Sequence, residues 1–314
     1  MKSNKCVVIT DIDNTLFDWF ALWHGSFKPL LDEVAAQSGI PRDVLIADIK
    51  RVHEKHGTAE YAYLLGELPS LRAKHSATDV ADLYQLSLGT YRATREKNLR
   101  LYPGVLATLK TLKESGCLLV GYTESMEVYT TERIKLLGLD GVLDIVFLPE
   151  SHAAPAELTT EQRKKYVPDV ARLTETRIEN TPKGEVKPNP DVLQAIIAKV
   201  GAKAMDCVYV GDSLNKDVLM AQQAGVADVH FKCGVAHGLE EYDLLWSVTH
   251  WPAEQVEAEK KSSTMVRPTY VIDATYSDLL TLFNFTRYTG ALAPPPSEQR
   301  IPRVIDVWKK IVIP

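Results

Sequence analysis

The sequence predicts an α/β fold built on a parallel sheet and interrupted near its start by a block of helices. Three observations carry this. Short, apolar, β-branched runs recur at 6–10, 117–123, 143–148, 207–211, 226–231 and 269–273, each of strand length. Between them apolar residues fall three and four apart, as in Val105, Leu106, Leu109 and Leu112 or Val192, Leu193, Ile196 and Ile197, which is helical spacing. Strand and helix in alternation imply a parallel sheet. Residues 17–100 break the rhythm with "LLDEVAAQSG", "DVLIADIKRVHEKHG" and "DVADLYQLSLGTYRATRE", all helical patterns without a convincing strand.

Taken in order, the first run, "CVVITDIDNTL" at 6–16, stops on Asp11 and Asp13. The helical block at 17–100 follows as an insertion. "LYPGV" at 101–105 then restarts the alternation, with Pro103 suited to a first helical turn. The α/β core is therefore discontinuous, 1–16 and 101–290. The second run, "CLLVGYT", ends on Thr123 and the fourth, "CVYVGD", on Asp212. A polar insertion at 151–185 interrupts the core. A tail at 291–314, "IPRVIDVWKKIVIP" after three prolines, is apolar enough to dock, either on its own chain or on a second copy. The tail and the insertion are thus the candidate routes to a homo-oligomer.

Composition narrows the function classes. The 314 residues are 45% hydrophobic, enough for about two domains by length. Net charge is -5, and no Lys/Arg stripe with interleaved aromatics appears, which argues against a nucleic-acid or anionic-membrane surface. The first strand begins too early for a secretory leader, and no apolar stretch reaches the ~18 residues of a bilayer span. Four widely spaced cysteines, Cys6, Cys117, Cys207 and Cys233, fit a reducing cytoplasm better than a disulfide framework. No GxGxxG, GxxxxGK[ST] or GxSxG pattern occurs.

The chemistry is concentrated at strand ends, where parallel sheets bind ligands. Asp11 and Asp13, two apart, project to one side of an extended chain, where mutual repulsion discourages ionisation of both. One can then serve as an acid while the other remains a nucleophile. Gathered carboxylates also call for a hard cation such as magnesium rather than zinc, with Asp11, Asp212 and Asp217 as the candidates.

"DIDNTL", "VGYTES", "KPNPDVL" and "VYVGDSLNKDV", in that order, resemble the four motifs of the haloacid dehalogenase superfamily. The resemblance implies a doubly wound, Rossmann-like α/β core with an α-helical cap, and 17–100 stands where that cap is inserted. It implies that Asp11 attacks a phosphoryl group and that Asp13 is general acid, then base. By the same matching Thr123 donates to a phosphoryl oxygen and Lys187 neutralises charge. Asp212 and the main-chain carbonyl of Asp13 help hold Mg2+, and Asp217 binds or orients the metal site. An acid at Asp13 is the mark of the phosphatases and phosphomutases, not of the dehalogenases. The expected activity is a magnesium-dependent phosphohydrolase of a small phosphorylated metabolite, with a phosphomutase and a weakly catalytic binding protein as alternatives.

Two departures stand beside the resemblance. Thr123 is followed by Glu124 and Ser125 rather than Asn and Gly, so an acid near the phosphate either repels it or faces away. The interval before Lys187 is long, which offers Lys183 as a substitute, but the Lys-Pro pattern favours Lys187. His230, Cys233 and His237 in "HFKCGVAH" lack a fourth clear ligand for zinc, and turn or core packing is preferred. Trp19, Phe20 and Trp23 read as helix packing rather than as the lining of an entrance, and "KRVHEKH" at 50–56 as a solvated face.

Overall fold

A computed structural model describes residues 2–167, 172–234, 241–254, 256–257 and 266–292. The described strands are β1 (Asn4–Lys5), β2 (Val7–Thr10), β3 (Leu118–Tyr122), β4 (Ile145–Leu148), β5 (Arg177–Asn180), β6 (Cys207–Gly211), β7 (Ala227–Phe231), β8 (Tyr270–Ile272) and β9 (Asn284–Phe285). Seven of them form one sheet in the order β5-β4-β3-β2-β6-β7-β8, and every pairing in it is parallel. β1 and β9 pair separately.

β2 reads as an unbroken apolar run because both of its faces are covered. Val7 and Ile9 pack with Leu193 and Ile197 of one helix layer, and Val8 with Leu109 and Leu112 of the other. From β2 the chain steps outward through β3, β4 and β5, then returns to β6 beside β2 and proceeds the other way. This reversal makes the sheet doubly wound, and it opens a crevice beyond the carboxyl ends of β2 and β6.

The helices between β2 and residue 100 are α1 (Trp19–Ser38), α2 (Arg42–His56), α3 (Leu64–Glu67), α4 (Pro69–Arg72), α5 (Ala77–Leu83) and α6 (Gln85–Asn98). α1 starts where the Asp18 side chain accepts from the Ala21 N–H at 2.8 Å, satisfying a donor the first turn leaves open. Its apolar face, Phe20, Trp23, Phe27, Leu30 and Leu31, meets Leu45, Ile49 and Val52 of α2 in a core separate from that of the sheet. α7 (Val105–Glu114), α8 (Glu127–Leu136), α10 (Pro190–Lys199) and α11 (Leu219–Gln223) belong to the α/β alternation.

The described residues of the polar stretch at 151–185 hold more regular structure than its composition conveys. It contains α9 (Thr160–Tyr166) and the edge strand β5, "RIEN", which among the described residues pairs only with β4. An edge strand has one flank open to water, so polar side chains are compatible with it. Leu158 and Tyr166 from this stretch pack into the core of the helical layer, as do Tyr242, Leu245 and Val248 of α12 (Tyr242–Val248), which follows β7.

His53, in the run read as solvated, is buried there, and its Nδ1 lies 2.7 Å from the Val248 carbonyl. Burial lowers its pKa to about 4, so the unfolded chain binds a proton that the folded chain refuses. Stability should therefore fall by about 3 kcal/mol as pH drops from about 6.5 to 4. Urea denaturation at pH 7 and pH 4.5 measures this; a His53→Phe variant should show a smaller acid loss, and an equal loss would remove His53 as its source. No described helix is long and apolar enough to cross a membrane. His237 and residues 293–314 of the tail lie outside the described residues.

Candidate active site

The crevice gathers side chains from four separated segments. Asp11, just past β2, is buried; its Oδ1 accepts from Lys187 Nζ at 2.5 Å and its Oδ2 from Thr15 Oγ1 at 3.0 Å. Lys187 stands ahead of α10 and is itself 4% exposed. Its ammonium also donates to Asp217 Oδ1 and to the Tyr122 carbonyl, both at 3.0 Å, so its three protons are used. It lies 4.8 Å from the centre of the Tyr122 ring, which adds a cation–π contact. Lys183 makes none of these contacts.

Asp217 reaches the site through a wide turn after β6, in which the Val218 N–H bonds back to the Ser213 carbonyl at 3.1 Å. Such π-type turns recur at functional sites because they redirect one side chain. Tyr209 Oη donates to Asp217 Oδ1 at 2.8 Å, and the Ser213 N–H to its Oδ2 at 3.1 Å. Gly211 makes room, since a Cβ there would collide with the Asp217 side chain.

Carboxylate oxygens of Asp11, Asp212 and Asp217 lie within 4.8 Å of one another. Burial drives the Asp11 carboxyl upward; Lys187 opposes this and Asp217 adds to it, with Asp13 the smallest contributor. Burial likewise pushes Asp212 well above the carboxylate range, reinforced by Asp11 and Asp217. The sequence pairs Asp11 with Asp13 as mutual repellers, whereas Asp217 is the stronger neighbour. Three crowded carboxylates with a surplus of negative charge and oxygen donors only fit a hard divalent cation.

Asp13 turns to a different set of partners. Asn14 takes a left-handed conformation, φ 59°, and α1 begins soon after, with Asn14 Oδ1 accepting from the Phe20 N–H at 3.1 Å. Asp13 Oδ1 accepts from Arg133 Nη1 at 2.9 Å, and its Oδ2 from Thr123 Oγ1 at 3.2 Å. Burial raises its carboxyl above the usual range, against the pull of Arg133. Arg133, on α8, was not legible as a site residue: it sits in an ordinary charged helix and carries no motif. Its Nη2 donates to both oxygens of Glu60, at 2.6 and 2.7 Å.

Glu124 lines the same crevice, but its carboxylate is engaged by two lysines. Its Oε1 accepts from the Lys187 N–H at 2.9 Å and its Oε2 from Lys216 Nζ at 2.7 Å. Burial works against its charge, but Lys216 and Lys187 prevail and hold it below the carboxylate range. His230 Nε2 lies 2.9 Å from the Asp212 carbonyl and Cys233 Sγ 3.2 Å from that of Asp273. Among the described residues neither joins a metal-binding group of three. A cavity of about 500 Å³ touches Asp11, Asp13, Thr123, Lys187, Asp212 and Asp217 together. Trp19, half-buried, lies on its wall, while Phe20 and Trp23 pack inside the helical layer.

Comparison with known proteins identifies the family. A family model for haloacid dehalogenase-like hydrolases matches residues 7–225, and a second, HAD-hydrolase-like model matches 186–274. A glyceraldehyde 3-phosphate phosphatase of Methanopyrus kandleri is 23% identical over 74% of this chain and 86% of its own length. A phosphoglycolate phosphatase of Xanthomonas campestris pv. campestris is 24% identical over 78% of this chain and 96% of its own. The crystal structure of a 2-haloacid dehalogenase from Pseudomonas syringae pv. Tomato shares the fold, with a TM-score of 0.52 at 18% identity over 90% of this chain and 98% of that one. With the motif residues converging on one crevice of a doubly wound sheet, and a family model spanning most of its length, this chain belongs to the haloacid dehalogenase-like hydrolases.

Proposed function

We propose that the protein is a magnesium-dependent phosphatase of a small phosphorylated metabolite, working through a phosphoaspartyl intermediate on Asp11, with the helices of 17–100 as a cap over the site. The observation that carries this reading is Asp11 held at 2.5 Å by the Lys187 ammonium, beside two further carboxylates and at the wall of a cavity large enough for a metabolite. Relatives with the matching names, a glyceraldehyde 3-phosphate and a phosphoglycolate phosphatase, support phosphate monoesters as the substrate class.

In the first step an Asp11 oxygen bonds to phosphorus as the ester P–O bond breaks, and the departing oxygen takes the proton of the Asp13 carboxyl. Burial of Asp13 favours the protonated form that this step needs. In the second step Asp13, now a carboxylate, takes a proton from water as the water oxygen attacks phosphorus; the bond to Asp11 breaks and orthophosphate leaves. Lys187 holds the nucleophile and opposes the charge that gathers on the phosphoryl oxygens. Thr123, whose hydroxyl proton is given to Asp13, would turn that proton to a phosphoryl oxygen when substrate binds. A magnesium ion held by Asp11, Asp212 and Asp217 with the Asp13 main-chain carbonyl would supply positive charge against two approaching anions.

The test is phosphate release from a panel of phosphorylated metabolites with magnesium present; no release from any of them would remove the phosphatase reading. Metal binding has its own readout. Magnesium at about ten times its dissociation constant should stabilise the fold by about 1.4 kcal/mol, a rise of a few degrees in melting temperature. Asp212→Asn together with Asp217→Asn should abolish that rise, and a rise that persists would place the ion elsewhere.

A further inference from the structure

Glu60 lies between α2 and α3, in the helical layer, yet its carboxylate is 8% exposed and sits against the catalytic half of the molecule. Both of its oxygens accept from Arg133 Nη2. Oε1 also accepts from Arg95 Nη2 at 2.6 Å, and Oε2 from the Trp19 indole N–H at 2.9 Å. The other end of the Arg133 fork, Nη1, holds Asp13 Oδ1 and Ser125 Oγ, each at 2.9 Å. Arg133 is 3% exposed and lies over the Phe17 ring. One rigid, planar cation therefore touches the acid of the site with one nitrogen and the helical layer with the other.

We propose that Arg133 is a positioning residue for Asp13 and that Glu60 ties this positioning to the helical layer. The inference rests on the phosphatase reading above. Arg133 occupies the acid's Oδ1 and aims the carboxyl group, while Glu60 fixes where the guanidinium stands. A buried guanidinium with only one anchor would have a second orientation available, and Asp13 without Arg133 would be left to Thr123 and Ser125. With both anchors in place the guanidinium is fixed between Asp13 and Glu60. The acid is thus correctly set when the layer that covers the substrate is seated on the sheet.

Asp13 matters most to a leaving group that needs a proton. An alkyl phosphate releases an alkoxide and needs the acid; 4-nitrophenyl phosphate releases a stable phenolate and does not. The value of kcat/KM reports steps through departure of the leaving group and is unaffected by the later hydrolysis of the intermediate. The experiment compares kcat/KM for 4-nitrophenyl phosphate and for the alkyl phosphate that the native protein turns over fastest. Arg133→Met should lose about 100-fold on the alkyl ester and under about tenfold on the aryl ester. Glu60→Gln, which keeps the shape and some hydrogen bonding, should show the same selectivity at about tenfold. Activity on the aryl ester shows in the same assay that the variant is folded and its nucleophile intact.

Equal losses on the two esters overturn the positioning role. If Arg133→Met does not fold, Glu60→Gln decides alone: selective loss supports the role, while equal loss or none overturns it. A native protein that hydrolyses neither ester overturns the phosphatase reading, and this inference with it, which separates the two failures.

Discussion

Asp11→Asn is expected to abolish turnover, by roughly 10⁴-fold or more, as removal of a covalent nucleophile does in other enzymes. The amide is nearly the shape of the carboxylate, and it accepts at one oxygen but not at two. Lys187 keeps Asp217 and the Tyr122 carbonyl as partners, so the fold should survive. Because burial and Asp217 already make a charged Asp11 unfavourable, the neutral variant should melt within a few degrees of the native protein in the absence of metal. Phosphate release and a thermal melt on the same preparation give both values. Turnover near the native rate would show that Asp11 is not the nucleophile and would end the phosphoaspartyl mechanism.

Lys187→Met has the second largest effect, and it falls on stability as well as rate. The substitution leaves Asp11 and Asp217, both buried, without the ammonium that lies 2.5 Å from one and 3.0 Å from the other. Breaking a buried pair by removing one partner costs about 3 to 5 kcal/mol, because the remaining charge stays desolvated. Asp217 retains Tyr209 Oη and the Ser213 N–H, which places the expected loss at the lower end, about 3 kcal/mol. The rate should fall by about 10³-fold, the scale found when one preorganised electrostatic donor is removed. Urea denaturation reads the first quantity and single-substrate kinetics the second. A variant with native stability would mean that the carboxylates find another counterion, and one with a native rate that Lys187 is not the charge-neutralising group.

These predictions depend on a site whose outline was legible in the sequence for a physical reason. A parallel strand buried on both faces must be apolar until it leaves the sheet, so a charge or hydroxyl at its end marks the crevice. Asp11, Thr123 and Asp212 each stand at such an end, and Lys187 precedes a proline-marked helix start. Asp217 carried a weaker signal, since its arrival depends on a π-type turn and on the empty side of Gly211. β5 gave no apolar signal because its edge position does not demand one.

Glu60 and Arg133 were beyond the reach of pattern. They are 73 residues apart in the chain; Glu60 is a lone acid in the loop between α2 and α3, and Arg133 lies on a charged helix, which is ordinarily a solvated one. Only the seating of the helical layer on the sheet buries this particular glutamate against this particular arginine. The disposition of Glu124 is of the same kind, because Lys216, which draws it aside, comes from beyond the next strand but one. So too is the docking of α12 and α9 on the helical layer, where Phe20 stacks on Tyr242 with ring centres 4.5 Å apart.

The sequence by itself determined which chemistry gathers at the strand ends, since local apolar periodicity states where a buried strand must stop and which groups then meet the crevice. The tertiary structure alone decided how those groups are charged and aimed: which acid meets Lys187, which meets Arg133, and which segment covers them. Strand periodicity is a property of neighbours along the chain, whereas the pairing and desolvation of a charge depend on residues brought close by packing across the whole fold.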